Sequence, residues 1–306
     1  MVDRLTIERA VDRGLQVPDV GEACAMGEGL RHMLGALPSE NNPPDRALVL
    51  AEATSALCAE RRAWEADLMA ARARRATEQG APLADAIDAR LAADRHHTEA
   101  AARFDRSWNH LVTRWGLVED ACPKIRKGDE IVFLVGLVAG TLALLHDKEG
   151  GSVVGIPTDR LGQVARAAQC LDDTRWWGVP SALAASAWAT IPGSGPEGSD
   201  PWALLEASAL RGEAEGMRVA RALQVRIAGN AGRLDVLRSG MAAHAQALSS
   251  RIAPPEHTLL DAYATSIARH QSDLVWIAET GHRTEAYGTW PEAPASMAPT
   301  DDPFAP

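Results

Sequence analysis

DRALVLAEATSALCAERRAWEADLMAARARRATEQ, residues 45–79, contains neither glycine nor proline. Leu48, Ala51, Ala56, Ala59, Ala63 and Ala66 recur along it at helical spacing, which predicts one long amphipathic helix. Pro44 stands where a first helical residue would, and Gly80-Ala81-Pro82 ends the pattern. A second long helix follows to about residue 115, with Ile87, Leu91, Phe104, Trp108 and Leu111 on its apolar face. Two long helices joined by a short turn predict an antiparallel hairpin.

Beyond the hairpin the same grammar repeats. Asp129 reads as the N-cap of an apolar helix at 130–146, and Pro157 as the opening of a helix that ends near residue 171. An apolar helix at 173–191 precedes the flexible stretch Pro192-Gly193-Ser194-Gly195-Pro196. Asp200-Pro201 reads as N-cap and first residue of the next helix. Helices at 213–228 and 233–251 flank Gly229-Asn230-Ala231-Gly232, and Pro254-Pro255 starts a last one reaching Glu279. Residues 1–38 hold two short helical patterns that meet near Val17 and Pro18.

This reading predicts an all-α chain of antiparallel helix pairs, stacked as a tetratricopeptide-like α-solenoid. The segment 218–254 is close to the 34-residue length of such a unit. Three regions are expected: an N-terminal helical hairpin region at 1–127, a tetratricopeptide-like helical region at 128–285, and a Pro- and Ala-rich tail at 286–306.

Composition agrees. About a fifth of the 306 residues are Ala, while Phe and Tyr together number five. Ala is the best helix former, whereas sheets draw on β-branched and aromatic residues, so an all-β fold is excluded. The net charge of −10, with no basic stretch left unbalanced, argues against a nucleic-acid partner. The longest uncharged apolar run, 131–145, is shorter than the roughly 20 residues of a bilayer span and reads as a buried core helix. Charged residues Asp3, Arg4, Glu8 and Arg9 stand where a signal peptide would be apolar, so no secretion signal is expected.

The candidate sites are few. Trp176, Trp177, Trp188 and Trp202 are four of nine tryptophans, set within 27 residues. They are candidate ligand-lining residues, or they fill gaps between Ala-rich helices. Asp172-Asp173 lacks the further acid that a prenyl-diphosphate metal motif needs, and reads as capping. His96 and His97 are adjacent, so on a helix they diverge by about 100° and cannot hold one ion together. Cys24, Met26, His32 and Met33 do not share a face. No metal site, cofactor or catalytic residue is assigned. Cys24, Cys58, Cys122 and Cys170 show no metal-ligand spacing and read as small buried hydrophobes; two disulfides fit the count, but the spacing does not argue for them.

The C-terminal half resembles the TatT family, the tetratricopeptide proteins associated with TRAP transporters. The resemblance lies in the order of FLVGLVAGTLALLHD (133–147), IPTDRLGQVARAAQCLD (156–172), RWWGVPSALAASAWATIPG (175–193), DPWALLEASAL (200–210), EGMRVARALQVRIAGNAGRLDVLRSGM (215–241) and TLLDAYATSIARHQSDLVWIAE (258–279). It implies a non-enzymatic binding or scaffold protein that takes a small apolar ligand and pairs with a TRAP-type substrate-binding protein. It also implies a homotrimer as one assembly, and a periplasmic location if the chain is a trimmed form. The family's lipoprotein signal has no counterpart in this sequence. Without the resemblance, the expectation is a cytoplasmic helical adaptor whose groove binds another protein.

Overall fold

The computed structural model describes residues 13–36 and 44–291. Ten α-helices are defined there, and no strand occurs among the described residues. They are α1 (Val20–Gly35), α2 (Asp45–Glu78), α3 (Leu83–Trp115), α4 (Glu130–Glu149) and α5 (Arg160–Ala168). The second half holds α6 (Val179–Thr190), α7 (Pro201–Ala214), α8 (Val219–Asn230), α9 (Leu234–Ser250) and α10 (Thr258–Thr280). The first of the two patterns expected in 1–38 and most of the tail lie outside the described residues.

The long hairpin forms as the alanine stripe predicts. Ala51, Ala56, Ala59, Ala63 and Ala66 are all buried on α2, and Gly80 (φ +99) turns the chain between α2 and α3. Small side chains let helix backbones approach closely, and α4 uses the same device with glycine. A Cβ on Gly136 would stand 2.3 Å from the Leu111 side chain, and one on Gly140 would stand 2.3 Å from the Trp108 ring. α4 is long and apolar enough to cross a membrane by length and composition, and most of it is buried inside the protein. It packs against α2, α3, α5 and α6.

Successive helices pack on one another, and α10 returns to pack against α1, α2, α8 and α9. One hydrophobic core runs from Leu15 through α2–α6 to Ile267. In an open array each pair touches only its neighbours in the chain; the return of the last helix onto α1 and α2 makes this fold a helical bundle.

Several boundaries move for local reasons. Asp129 makes no side-chain cap; its carboxylate pairs with Arg46 Nε at 2.6 Å. The helix expected from Pro157 begins at Arg160. Residues 173–178 form a tight turn, with Trp177 (φ +54) and Gly178 (φ +76) both left-handed, and α6 starts only after it. Asp200 caps α7 as expected, accepting from the Trp202 and Ala203 N–H groups. Asp172 and Asp173 accept backbone N–H groups from Arg175 and Ser181, each at 2.8 Å, in line with a capping role.

The cysteines are a correction. Cys24–Cys58 ties α1 to α2, and Cys122–Cys170 ties the loop before α4 to the end of α5. Their spacing carries no signature because each pair is brought together by helix packing and not by sequence proximity.

Candidate metal centre

The four tryptophans do not converge. Trp176 and Trp177 are buried with their rings edge-to-face at 5.4 Å, and Trp176 Nε1 donates to Glu130 at 3.0 Å. Trp177 lines a narrow apolar cavity of about 60 Å³ together with Phe104, Leu142 and Tyr263. Trp188 and Trp202 face a separate open cleft floored by the 192–200 loop. They serve as one core pair and one surface pair.

A denser polar group lies in the middle of the bundle, where burial should exclude it. α2 contributes Glu60 and Asp67, seven residues apart and so on one face. α3 contributes His97, and α4 contributes His146 and Glu149 at i and i+3. α8 contributes Arg226, and α10 contributes Tyr263 and His270, again seven apart. Glu60, His97, His146, Arg226 and His270 are all buried, and Glu149 is partly exposed.

Three donor atoms meet at one point. His97 Nδ1 and His146 Nδ1 are 2.8 Å apart, and Glu149 Oε2 stands 3.1 Å and 3.4 Å from them. Ligands about 2.1 Å from an ion are separated by about 3.0 to 3.4 Å in octahedral or tetrahedral geometry; the two distances to Glu149 lie in that range, and the imidazole pair at 2.8 Å would open by a few tenths of an ångström around an ion.

The outer nitrogens are held as ligand histidines are held. His97 Nε2 lies 2.9 Å from both oxygens of Asp67, and His146 Nε2 lies 2.9 Å from Glu60 Oε1. Metal-bound imidazoles donate their second N–H to a carboxylate in this way, which fixes ring and tautomer. Glu149 is clamped from behind by Arg226 Nη2, 2.6 Å from each oxygen. Tyr263 donates its hydroxyl to Glu60 Oε1 at 3.0 Å.

Proton placement follows from these pairs. Asp67 needs a donor from His97 Nε2, which leaves His97 Nδ1 as a lone pair. With Glu60 neutral, His146 carries its proton on Nδ1 and donates it to His97, and its Nε2 accepts from the Glu60 hydroxyl. With Glu60 ionised, His146 donates through Nε2, and two imidazole lone pairs and a carboxylate oxygen face one another with no hydrogen between them. A cation completes that second arrangement.

Electrostatics divide between the two arrangements, the raised Glu60 favouring the first and the neutral His146 ring and ionised Asp67 and Glu149 serving the second. Burial pushes the Glu60 carboxyl up to about 7, against the opposing pull of the Tyr263 hydroxyl and Arg226. Burial takes His146 down to about 3, keeping its ring neutral and able to offer a lone pair. Burial also opposes ionisation of Asp67, but the His270 and His97 rings outweigh it and hold that carboxyl well below the usual range. Glu149 is likewise lowered, burial being outweighed by Arg226, His146 and His97. Asp67 and Glu149 outnumber the single Arg226 guanidinium by one formal charge, and by two only once Glu60 ionises, which burial holds back to about pH 7. Buried polar atoms ordinarily find partners; here Glu60 Oε2 and His270 Nδ1 have none, and His270 Nε2 has only a long contact of 3.5 Å to Asp67.

Considering the histidines one segment at a time misses this site. His97 indeed diverges from His96, and its companions arrive from α2 and α4. The legible signal was His146-x-x-Glu149 at the end of an apolar helix, together with charged residues seven apart on buried faces. No protein-family model matches the chain, and no curated protein or solved structure matches it.

Proposed function

We propose that this protein is a metal-dependent enzyme whose divalent transition-metal ion is held by His97, His146 and Glu149. The observation that carries the reading is the convergence of His97 Nδ1, His146 Nδ1 and Glu149 Oε2 within 3.4 Å of one another, each backed by its own charged partner. A ligand set of two imidazoles and one carboxylate suits zinc or ferrous-type ions, and sulfur ligands are not needed. Three protein ligands leave coordination positions open, as catalytic sites do and closed structural sites do not. The ion would supply Lewis acidity and an activated water. Asp67 and Glu60 orient the imidazoles, and Arg226 keeps Glu149 ionised.

The test is metal content by mass spectrometry after dialysis, with thermal stability measured with and without EDTA. About one transition-metal ion per chain is expected, and EDTA lowers the melting temperature, as removal of a ligand specific to the folded state must. His146→Ala and His97→Ala lose the ion and the EDTA response together. A wild-type protein that binds no ion from zinc, iron, manganese or cobalt would sink the reading.

A second reading is the one implied by the TatT resemblance, and the apolar cavity beside Trp177, at about 60 Å³, would have to widen to admit its ligand. On it, the chain is a tetratricopeptide-like scaffold that holds a small apolar ligand and meets a TRAP-type substrate-binding protein. Native mass spectrometry of freshly purified protein tests it: a homotrimer with an apolar adduct supports it, and a bare monomer does not.

A further inference from the structure

The proposed ion lies beside Glu149, which lines more than one surface cleft, and one of these clefts has a chemistry of its own. A cleft of about 570 Å³ opens between α2, α3, α8 and α10 and ends on Asp67, Glu149 and Arg226. Pockets of roughly 300–1,000 Å³ hold small organic ligands. The floor is acidic, and its one guanidinium is already spent on Glu149. The mouth differs. Arg74 of α2 is exposed and forms no ion pair among the described residues, so its charge is available. Arg90 faces the same cleft from α3, already bound to Asp94 and to the Glu149 carbonyl.

The cleft is also lined by aliphatic side chains. Ile87 and Leu91 of α3 line it while remaining 52% and 47% exposed, and Leu274 of α10 lines it as well. Aliphatic side chains on a concave surface give an apolar body something to pack against. A guanidinium at the rim favours a carboxylate, and the acidic floor repels one.

We infer that the cleft binds a small amphipathic carboxylic acid, its carboxylate at Arg74 and its apolar body along Ile87 and Leu91, with the far end of the chain directed at the ion. This inference rests on the metal-centre reading, and it names the substrate class for that centre. It uses the cleft's charge order and wall, whereas the metal reading uses the buried triad.

The experiment is calorimetric titration of the full-length protein with octanoate, 1-octanol and octylammonium, on samples whose metal content is measured in parallel. Octanoate binds at least tenfold more tightly than 1-octanol, and octylammonium binds least. Arg74→Gln, a change at an exposed side chain without an ion pair, weakens octanoate about tenfold and leaves 1-octanol unchanged. In cobalt(II)-loaded protein the octanoate methyl protons relax faster than the protons next to its carboxylate. Equal affinity for octanoate and 1-octanol, or an Arg74→Gln variant that binds octanoate as well as wild type, overturns the inference while leaving the metal reading intact. Faster relaxation of the protons beside the carboxylate overturns the orientation and with it the proposal. A protein that binds octanoate as described but holds no ion removes the metal reading and, with it, the assignment of the acid as that centre's substrate.

Discussion

His97 and His146 face each other through Nδ1, and the residues behind them decide how firmly they can hold an ion. Asp67 accepts from His97 Nε2 with both oxygens at 2.9 Å, so Asp67→Asn replaces a charged acceptor by a neutral amide. Loss of such a supporting carboxylate typically costs ten- to a hundredfold in metal affinity. The variant is therefore expected to stay folded and to bind zinc about ten- to a hundredfold more weakly in a competition titration with a chromophoric chelator; unchanged affinity would contradict the assigned role. The buried titrating groups make a second prediction, for EDTA-treated protein. Glu60, raised to about 7 from 4.5, contributes stability that is complete below 4.5 and lost as pH rises to about 7. His146, lowered to about 3 from 6.5, contributes stability that is complete above 6.5 and lost as pH falls to about 3. Between 4.5 and 6.5 the two slopes oppose and cancel. His244 has no such counterweight: burial, aided by Arg218, Arg221 and Arg269, takes it down to about 3, while Tyr287 lies 2.8 Å from its Nδ1. Urea unfolding free energies should therefore fall as pH drops from 6.5 towards 3, and His244→Gln should flatten that slope by one proton. An unaltered slope would rule out His244 as a source.

At the scale of the helix, the long elements were readable because their causes are local. Alanine spacing, the break at Gly80 and the Asp200-Pro201 cap all act within a few residues, and α2, α3 and α7 begin close to where those signals stand. The elements misread were those whose ends are set by something distant. Asp129 is drawn off to Arg46 on α2, and the chain before α6 is held in a left-handed turn at Trp177 and Gly178, where Gly178 lies so close to α7 that a Cβ would meet the Ser208 carbonyl oxygen at 2.5 Å. The close approach of α3 and α4 is a further property that no single helix discloses. Gly140 lies under Trp108, and a methyl group there would have to displace a rigid indole. Gly140→Ala raises helix propensity, yet overpacking costs about 1–3 kcal/mol and should win. A lower melting temperature for Gly140→Ala is expected, and a higher one would mean that α3 and α4 are not in this contact. The Cys122–Cys170 link makes a comparable prediction. It closes a long loop across α4 and α5, and reducing such a bond typically removes about 2–4 kcal/mol. The denatured, unreduced protein should offer no thiol to alkylating reagents, and free thiols in it would refute the pairing.

Over the whole molecule, the residues of the candidate centre are far apart in sequence: the packing of α2, α3, α4 and α8 brings its ligands and their partners together, and α10 adds Tyr263 and His270 by folding back. Glu60 and Tyr263 are hydrogen-bonded across about two hundred positions, and His146 of the central helix lies between the hairpin and the C-terminal helices. Reading one segment at a time cannot find such a group, because each histidine alone resembles a buried polar residue on an otherwise apolar face. The same topology bears on how the chain unfolds. Polar contacts run from α2 to α3, α4 and α10, and from α4 to α8, so the hairpin at 1–127 and the region from 128 onward share both the core and the polar cluster. Two regions joined by a thin interface would melt separately, but regions that share a buried charged network cannot lose one side without stranding charges on the other. A single cooperative transition is therefore expected. Tryptophan emission, which samples Trp64 and Trp108 in the hairpin and Trp176 and Trp177 beyond it, should give the same midpoint as helical circular dichroism. Added zinc should move both curves upward together. If tryptophan emission and helicity change at different temperatures, or if zinc shifts only one of them, then the hairpin is an independent unit and the cluster that spans the two regions is not what holds them together.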